Sequence, residues 1–429
     1  MDEHDLRALL AEHASAHSVP GAAIGMLRDA EVVTAYHGVA DVTTGSPVTA
    51  ATRFSAGSLT KSMVATVIAR LQGSGRLSFT DPIATHVPEL RGSDWAERGT
   101  IRDLLANRSG IPLRADLEFG FDEHRDTDDG ALARLVAGAA EGRIGSGVWS
   151  YSNLGWCVLG RVIETATGTP WEDAMREHLF GPAGMAGTSF ATDAAAEARA
   201  MGHDVTPDGP VPVEPLTTRA YGPAGTTMIS PVADLLAFAA VHIEDPSLDG
   251  LRAVQAEPRI QGWLDAWCLG WARFDWEGGP VWGWDGLISG ERSVLRFLPE
   301  RRAAVVLVTN SGTGRALYRS LLPRLVEPLF GVTMPPLRLA PSEGPAAELT
   351  RFAGDYAWPD RRVEVESTAS SLVLREAGSE TEALPIDERT FLVDAADPDT
   401  PTVTFGVFDA DGRPHVLYDM LWGLPRLEG

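Results

Sequence analysis

Residues 54–71 read FSAGSLTKSMVATVIARL, and the interpretation of the whole chain starts from this stretch. From Leu59 onward, small and apolar residues recur at helical spacing, while Gly57 and Ser58 are residue types that begin helices. The pattern therefore predicts that Ser58 lies at or near the N-terminus of a helix. Lys61 follows three residues later on the same helical face, so its amine should lie beside the Ser58 hydroxyl.

A serine beside a lysine is the core of a nucleophile-and-base pair. The Ser58 hydroxyl becomes a good nucleophile only when a base takes its proton, and a lysine is a base only when it is neutral, a state that burial favours. Ser-x-x-Lys also occurs by chance, usually as a solvated first turn of a helix. The spacing alone therefore leaves two interpretations open.

The use of basic residues along the chain favours the catalytic interpretation. Of the 36 lysine and arginine residues, one is a lysine, Lys61, which leaves 35 arginines. Arginine cannot lose its proton in a protein, whereas lysine can. A chain that otherwise uses arginine as its cation therefore indicates proton transfer, rather than an ion pair, as the task of Lys61.

Composition and charge bound the class of protein. The 429 residues are 44% hydrophobic and 22% charged, which suits a large core and two or three domains. The formal net charge of -23 argues against binding to nucleic acid or to an anionic membrane surface. No stretch approaches the roughly 20 apolar residues of a membrane-spanning helix. Residues 1–16 lack the basic and apolar parts of a secretion signal, so we expect a cytoplasmic protein.

The cysteines and histidines do not form a recognisable metal-binding pattern. Cys157 and Cys268 are flanked by apolar or aromatic residues and make no metal-ligand spacing, which favours buried free thiols. His13 and His17 have the i, i+4 spacing that can hold a metal, but no third ligand is evident nearby. A solvated helix face is the better interpretation of the two histidines, and we predict no metal site.

A second candidate site is VWSYSNLG at residues 148–155, directly before a helical run. Tyr151 and Asn153 are two residues apart in an extended loop, so a phenol and an amide can face one cleft. A phenol beside a lysine ammonium loses its proton more easily, which makes Tyr151 a second candidate base. The alternative is a half-buried tyrosine that is anchored by its hydroxyl.

The pattern of strands predicts an α+β fold. Residues 21–27 and 31–38 predict two strands around a turn at Asp29, and residues 303–310 predict a buried strand far along the chain. Helical patterns occupy much of the sequence between them. One antiparallel sheet that joins both sets of strands, with helices between, accounts for this arrangement.

A third segment, GPVWGWDGLISG at residues 279–290, contains Trp284-Asp285-Gly286. Together, Ser58-Leu59-Thr60-Lys61, Tyr151-Ser152-Asn153 and Trp284-Asp285-Gly286 resemble the three signatures of the serine β-lactamase and penicillin-binding-protein superfamily. The Tyr-x-Asn form resembles the class C β-lactamases, the D-aminopeptidases and related carboxylesterases. The resemblance covers roughly residues 5–332.

This resemblance implies a domain plan and an activity. A β-lactamase-like catalytic domain would occupy residues 1–334, with an antiparallel sheet flanked by helices and an all-helical subdomain inserted at about residues 75–215. The activity would be acyl transfer through a covalent acyl-enzyme. Such a site needs no cofactor.

The resemblance also implies a role for each site residue. Ser58 would be the acylated nucleophile, with Lys61 and Tyr151 as the proton-transfer pair. Asn153 would hold the acyl-side amide or carbonyl of the substrate. Two backbone N–H groups, those of Ser58 and Leu287, would receive the oxyanion of the tetrahedral intermediate.

The chain departs from the family pattern at Trp284. Penicillin-handling members have lysine at this position and many relatives have histidine, so a cation that would bind a substrate carboxylate is missing. Esterases of the superfamily often carry Trp-x-Gly, as this chain does at Trp284 and Gly286. The departure favours a neutral ester or amide substrate over a β-lactam. Whether Trp284 contacts the substrate or packs beneath the site stays open.

The C-terminal part of the chain has a different composition. Residues 335–345 are rich in proline, serine and glutamate and predict a linker. Residues 346–429 contain several short alternating strands, which predict a small antiparallel β-barrel. This part resembles the lipocalin-like domain attached to some of these hydrolases and to the peptide-cyclising thioesterases of penicillin-binding-protein type. It would either cover the cleft or hold a carrier or substrate.

These observations lead to a ranked set of functions. The first is a serine hydrolase of carboxylesterase or amidase type that cleaves a small neutral ester or amide. The second is a transacylase or peptide-cyclising thioesterase, which passes the same acyl group to an amine or alcohol acceptor. The third is a catalytically silent binding module, and the intact Ser58, Lys61, Tyr151 and Asn153 argue against it.

Overall fold

The computed structural model describes residues 1–111, 120–121, 128–141, 147–193, 198–342, 349–358, 361–397 and 401–427. The helices of this part of the chain are α1 (Glu3–Ala16), α2 (Leu59–Gly73), α3 (Ile83–His86), α4 (Asp94–Arg98), α5 (Ile101–Leu105), α6 (Ala131–Ala137), α7 (Asn153–Thr167), α8 (Trp171–Met175), α9 (Gly181–Ala183), α10 (Val232–Glu244) and α11 (Gly314–Phe330). Short 3₁₀ or π turns lie at Pro88–Leu90, Gly138–Glu141, Arg176–Phe180, Arg219–Ala224, Pro246–Arg252, Pro299–Arg301 and Leu349–Phe352.

The strands fall into a first group within residues 21–309 and a second within residues 354–425. The first group is β1 (Gly21–Arg28), β2 (Glu31–Asp41), β3 (Ser46–Pro47), β4 (Phe54–Ser55), β5 (Ser189–Phe190), β6 (His203–Thr206), β7 (Gly209–Pro212), β8 (Met228–Ser230), β9 (Ala266–Trp267), β10 (Ala272–Trp276), β11 (Gly279–Ile288), β12 (Glu291–Leu298) and β13 (Ala303–Thr309). The second group is β14 (Gly354–Trp358), β15 (Arg361–Ser367), β16 (Leu372–Glu376), β17 (Ser379–Pro385), β18 (Thr390–Leu392), β19 (Thr402–Phe408), β20 (Pro414–Asp419) and β21 (Trp422–Pro425).

The central sheet is antiparallel and has the strand order β3-β2-β1-β13-β12-β11-β10-β9. The strand pair around Asp29 and the distant strand β13 lie side by side, with Ile24 opposite Leu307, which confirms the α+β prediction. Asp29 has φ of 56°, a left-handed conformation that aspartate tolerates better than most residues. All seven residues of β13 are buried, because α1, α10 and α11 pack around the sheet.

Helix α2 is enclosed along most of its length. It begins at Leu59 with Ser58 as its N-cap, as the sequence predicts, and every residue from Leu59 to Ile68 is buried. A helix that is buried on all sides needs small or apolar residues on all sides, which is the pattern of residues 59–71. Lys61 is therefore carried into the interior.

A long insertion separates β4, which precedes Ser58, from β8. It carries α3–α9 and, near its end, the short strands β5–β7. Thr100 caps α5 in a reciprocal capping box with Asp103, as expected for a threonine before a helical pattern. Strand β8 pairs with both β4 and β5, so the insertion is fastened beside the Ser58 segment.

The eight C-terminal strands pair in sequence order, each antiparallel to the next. The first and last strands meet where the Leu427 N–H donates to the Asp355 carbonyl at 2.8 Å, so the barrel is nearly closed. Phe352, Phe391 and Phe405 pack together inside, with ring centroids 4.8–5.5 Å apart. The described part of the interior is thus a packed aromatic core, which argues against a ligand held inside the barrel.

The domain boundaries stay predictions. These are the catalytic domain at 1–334 with its insertion at about 75–215, the linker at 335–345 and the barrel domain at 346–429. Residues 343–348 and 428–429 lie outside the described residues. Among the residues that the structure describes, none of the helices has the length and apolar character that crossing a membrane requires.

Candidate active site

The Ser58 hydroxyl and the Lys61 amine are in contact. Lys61 Nζ donates to Ser58 Oγ at 3.0 Å and also to the carbonyl of Ala224, and the Lys61 side chain has no exposed surface. This is the proximity that the three-residue helical spacing predicts. The arrangement places the single lysine of the chain in a buried position beside a hydroxyl, where proton exchange between the two is geometrically possible.

The Ala224 carbonyl is a site component that the sequence did not reveal. It precedes Gly225, which has φ of 124°, a conformation that disfavours any residue with a side chain. A Cβ at Gly225 would lie 2.2 Å from the Gly57 carbonyl oxygen. The two backbone segments are therefore packed at a distance that only glycine permits, and this contact brings the Ala224 carbonyl to the lysine.

Tyr151 and Asn153 flank the start of α7. Ser152 is the N-cap of this helix and accepts a hydrogen bond from the Gly155 N–H at 2.9 Å, so Asn153 is the first helical residue. The ring of Tyr151 is buried, and its centroid lies 5.0 Å from Lys61 Nζ. The structure thus brings the second predicted motif to the first.

Trp284 is buried against Tyr151. The Trp284 ring centroid lies 5.5 Å from that of Tyr151 and 4.9 Å from that of Trp267, and the indole N–H donates to the Tyr151 hydroxyl at 3.4 Å. Of the two interpretations that the sequence left open, these contacts favour packing beneath the site. The indole fixes the direction of the phenol.

Strand β11 approaches the Ser58 segment unusually closely. A Cβ at Gly286 would lie 2.1 Å from the Ala56 carbonyl oxygen, and a Cβ at Gly57 would lie 2.8 Å from the Leu287 nitrogen. Both positions therefore exclude a side chain. The contact brings the Leu287 backbone nitrogen close to the turn that carries Ser58.

A buried carboxylate on the neighbouring strand holds the same turn. Glu291 accepts hydrogen bonds from the N–H and the hydroxyl of Ser55, while the Ser293 hydroxyl donates to the Ala56 carbonyl at 2.6 Å. Burial raises the pKa of Glu291, and Arg199, 3.6 Å away, opposes that rise. Glu291 is far from Ser58 in sequence and belongs to no motif, so sequence reasoning missed it.

Asp285, the middle residue of the third motif, forms an ion pair with the buried Arg296. Its carboxylate accepts from Arg296 Nη1 at 2.6 Å, and Arg296 also donates to the Tyr318 hydroxyl at 2.9 Å. The guanidinium is completely buried and stacks 3.9 Å from the Phe274 ring centroid. Burial by itself would lower the pKa of Arg296, but the Asp285 carboxylate and the Tyr318 hydroxyl together more than offset burial, so the pKa of Arg296 is raised.

A single cavity of about 320 Å³ joins the predicted residues. The predicted residues that line it are Ser58, Tyr151, Asn153, Trp284, Gly286 and Leu287. Lys61 lies directly behind Ser58. Leu287 is the most exposed of the set, with 47% of its surface accessible, so it lies at the open side of the cavity.

Other parts of the cavity wall were not predicted. Met420, Leu421 and Trp422 of the barrel line it, as do Arg292 and Arg315. The chain has no cation at position 284, yet two arginines, Arg292 and Arg315, line the cavity. No local pattern marks these five residues, because their place in the wall follows from how distant elements pack.

The cysteines are buried and free, as predicted, and burial raises the pKa of the Cys268 thiol to about 12.

The interpretation of His13 and His17 as a solvated face was wrong. Ring nitrogens of His13 and His17 lie 2.9 and 3.0 Å from the Ser320 hydroxyl on α11, so the two rings pack between helices. In the described residues, no group of three or more histidine, cysteine or acidic side chains is placed to hold a metal.

Comparison with known proteins assigns the family. The Beta-lactamase family model matches residues 6–326. The chain belongs to the β-lactamase family. This confirms the resemblance drawn from the three motifs, and it makes the protein a serine hydrolase of the β-lactamase-like superfamily.

Relatives within this family have different names. Penicillin-binding protein 4 of Amycolatopsis lactamdurans is 32% identical over 365 residues, which cover 79% of this chain and 93% of the relative. Esterase EstB of Burkholderia gladioli is 35% identical over 168 residues, 36% of this chain and 42% of the relative. The relatives thus include proteins named as an esterase, a β-lactamase and a penicillin-binding protein.

Solved structures extend the comparison to the barrel. The crystal structure of SurE is 27% identical, covers 99% of both chains and superposes with a TM-score of 0.81. SurE has also been solved with D-Leu, and that structure is 28% identical with a TM-score of 0.79. The β-lactamase-like fold and the C-terminal barrel thus occur together in another protein.

Proposed function

We propose that this β-lactamase-family protein forms an acyl-enzyme on Ser58 and releases the acyl group of a small neutral ester or amide. The observation that carries the proposal is the 3.0 Å contact between the fully buried Lys61 amine and the Ser58 hydroxyl. Burial disfavours the charged form of an amine, and a base needs the neutral form.

The proposed reaction uses the neighbouring groups in turn. Lys61 takes the Ser58 proton as Oγ attacks the substrate carbonyl, and the N–H groups of Ser58 and Leu287 bind the oxyanion. The proton taken by Lys61 passes through Tyr151 to the leaving group, and Asn153 orients the acyl side. Water then attacks the acyl-enzyme, and Tyr151 and Lys61 take its proton and return it to Ser58 Oγ as the acyl group is released.

The cavity wall supports a largely apolar substrate. Phe121, Leu216 and Trp263 line the cavity together with the barrel residues. Arg315 is held in the wall by the Gly262 carbonyl at 2.7 Å and by the Trp263 ring, whose centroid is 3.7 Å from the guanidinium carbon. Apolar surface of this kind favours substrates that lose little hydration on binding.

Covalent labelling tests the proposal. Incubation of the protein with a fluorophosphonate should add one probe mass, and peptide mapping should place the probe on Ser58. A Ser62→Ala variant is the matched control, because Ser62 lies on the same helix and its hydroxyl donates to the Gly270 carbonyl at 2.6 Å. Absence of labelling, or labelling at another residue, would contradict the assigned nucleophile and support a silent binding module.

A second candidate function is transfer of the acyl group to an amine or alcohol instead of water. Two observations favour it. The barrel residues Met420, Leu421 and Trp422 extend the apolar wall of the cavity, which disfavours water. The whole chain, including the barrel, is similar to SurE, a protein that has been solved with the amine-bearing D-Leu.

Product ratios separate transfer from hydrolysis. With a p-nitrophenyl ester as donor and D-Leu as acceptor, transfer predicts an N-acyl product that increases with acceptor concentration, while L-Leu serves as the matched control. Mass spectrometry of the products measures the ratio of N-acyl product to free acid. If neither amine changes that ratio, transfer to these acceptors is excluded and the hydrolase remains.

A further inference from the structure

The last hairpin of the barrel packs against the catalytic part of the chain. In strand β20, successive side chains face opposite sides. Leu417 belongs to the aromatic core of the barrel, whereas Val416 and Tyr418 belong to the core of the catalytic part. Both faces of this strand are buried, so the hairpin formed by β20 and β21, here called the barrel hairpin (residues 414–425), is a shared wall between the two parts.

The tip of the barrel hairpin is bonded to the loop that carries Tyr151. The Tyr151 N–H donates to the Leu421 carbonyl at 2.9 Å, and the Gly423 N–H donates to the Ser150 hydroxyl at 3.2 Å. On the other side of the loop, the Ser150 N–H donates to the Asn107 carbonyl at 2.9 Å. The loop is therefore held between the catalytic part and the barrel hairpin.

The neighbouring tryptophan of the loop is held by the same hairpin. The Trp149 ring contacts the Tyr418 ring at a centroid distance of 5.9 Å. A Cβ at Gly423 would lie only 2.4 Å from the Trp149 carbonyl oxygen and 2.9 Å from a ring carbon of Tyr418. The absence of a side chain at Gly423 is thus what lets the barrel hairpin approach the loop.

These contacts fix a residue of the proposed reaction. The backbone N–H of Tyr151 is hydrogen-bonded to the Leu421 carbonyl of the barrel. The Tyr151 ring packs against Trp284, and its centroid lies 5.0 Å from Lys61 Nζ. Catalytic groups lose much of their effect when they are displaced by as little as 1 Å, with rate losses of about a hundredfold. A small movement of the barrel hairpin would carry Tyr151 with it.

We propose that the barrel hairpin is a positioning element for Tyr151, so that the C-terminal barrel contributes to catalysis through the Leu421 carbonyl and Gly423. The proposal rests on the proposed function, because it assigns a proton-transfer role to Tyr151. The barrel would then have a structural role at the cleft and would not hold a ligand in its interior.

The Gly423→Ala variant tests the proposal. The added methyl group must push the hairpin away from Trp149, so kcat for a p-nitrophenyl ester should fall about ten- to a hundredfold, with a smaller change in KM. The pH dependence of kcat/KM should also change, because it reports the essential base of the free enzyme. Labelling of Ser58 by fluorophosphonate should persist at a reduced rate.

A matched control distinguishes positioning from general loosening of the barrel. Leu374→Ala removes a side chain from the aromatic core of the barrel, remote in sequence from the hairpin. It should lower the melting temperature but leave kcat and the pH profile unchanged well below that temperature. Equal losses of kcat in Leu374→Ala and Gly423→Ala would overturn the positioning role.

A milder variant covers the case in which Gly423→Ala does not fold. Ser150→Ala removes the acceptor of the Gly423 N–H, and kcat should fall about three- to tenfold, the effect of one hydrogen bond. Wild-type kcat and pH profile in Ser150→Ala, and in Gly423→Ala where it folds, with Ser58 still labelled, would overturn the positioning role and leave the proposed function intact. If wild-type protein is not labelled at Ser58, the proposed function fails and the positioning role with it.

Discussion

Replacement of Lys61 by arginine is expected to lower the rate of acyl-enzyme formation at Ser58 about a thousandfold or more. Arginine keeps the positive charge but cannot lose its proton, so the Ser58 hydroxyl loses its base. If Lys61 acted only as a fixed charge, arginine would retain part of its effect. The measurement is the rate of p-nitrophenol release in the burst phase, together with intact mass to count acylated protein.

Two further variants make the Lys61→Arg result specific. Lys61 is fully buried, so the larger guanidinium can also disturb packing, and Lys61→Met provides a substitution of similar length without charge. Lys61→Arg and Lys61→Met should both lose activity while they keep a cooperative thermal transition. Arg98→Lys, at an exposed position on α4, is the matched control and should be fully active. Acylation of Lys61→Arg at the wild-type rate would contradict the role of Lys61 as a base.

The nucleophile and its base could be predicted because the signal is local. Ser58 and Lys61 are one helical turn apart, and the helix is marked by a continuous run of small and apolar residues, so the 3.0 Å contact between them follows from the helical repeat. The strand pair around Asp29 could be predicted for the same reason, because its signal is also local. The relative placement of the three motifs could also be predicted, because the resemblance to a known family implies it.

The remaining parts of the site could not be predicted, for an equally physical reason. Lys61 donates to the carbonyl of Ala224, and the Tyr151 N–H donates to the carbonyl of Leu421. Every residue has a backbone carbonyl, so such contacts leave no mark in the residue type. The glycines that permit these approaches, Gly225 and Gly423, are the one trace in the sequence, and 44 glycines are too many to single them out.

The barrel shows which property of a whole strand cannot be predicted from the sequence. Alternation of apolar and polar residues predicts its strands, but β20 is buried on both faces, with Leu417 toward the barrel core and Val416 and Tyr418 toward the catalytic part. Alternation shows which residues share a face. It does not show which surface that face meets, so the contribution of the barrel to the cavity emerged only from the structure.

The Asp285→Ala variant is expected to lower the free energy of unfolding by about 3–5 kcal/mol. Arg296 is completely buried, and Asp285 is the carboxylate that faces its guanidinium at 2.6 Å. Removal of the carboxylate leaves a buried positive charge with neutral partners, the Tyr318 hydroxyl and backbone carbonyls. Urea denaturation followed by tryptophan fluorescence measures the change, and a loss below 1 kcal/mol would contradict the argument.

A double variant separates the cost of an unpaired charge from the value of the pair. Asp285→Leu combined with Arg296→Met removes both charges, and we expect it to recover most of the stability lost in the single variant, because burial of the two ions is itself expensive. Asp94→Ala on α4 removes the carboxylate of an exposed pair with Arg98 and should cost less than about 1 kcal/mol. Since Asp285 also lines the cavity beside Trp284, a double variant that is stable but inactive would show that the pair is retained to shape the site. A double variant that is both stable and active would assign the pair to the fold alone.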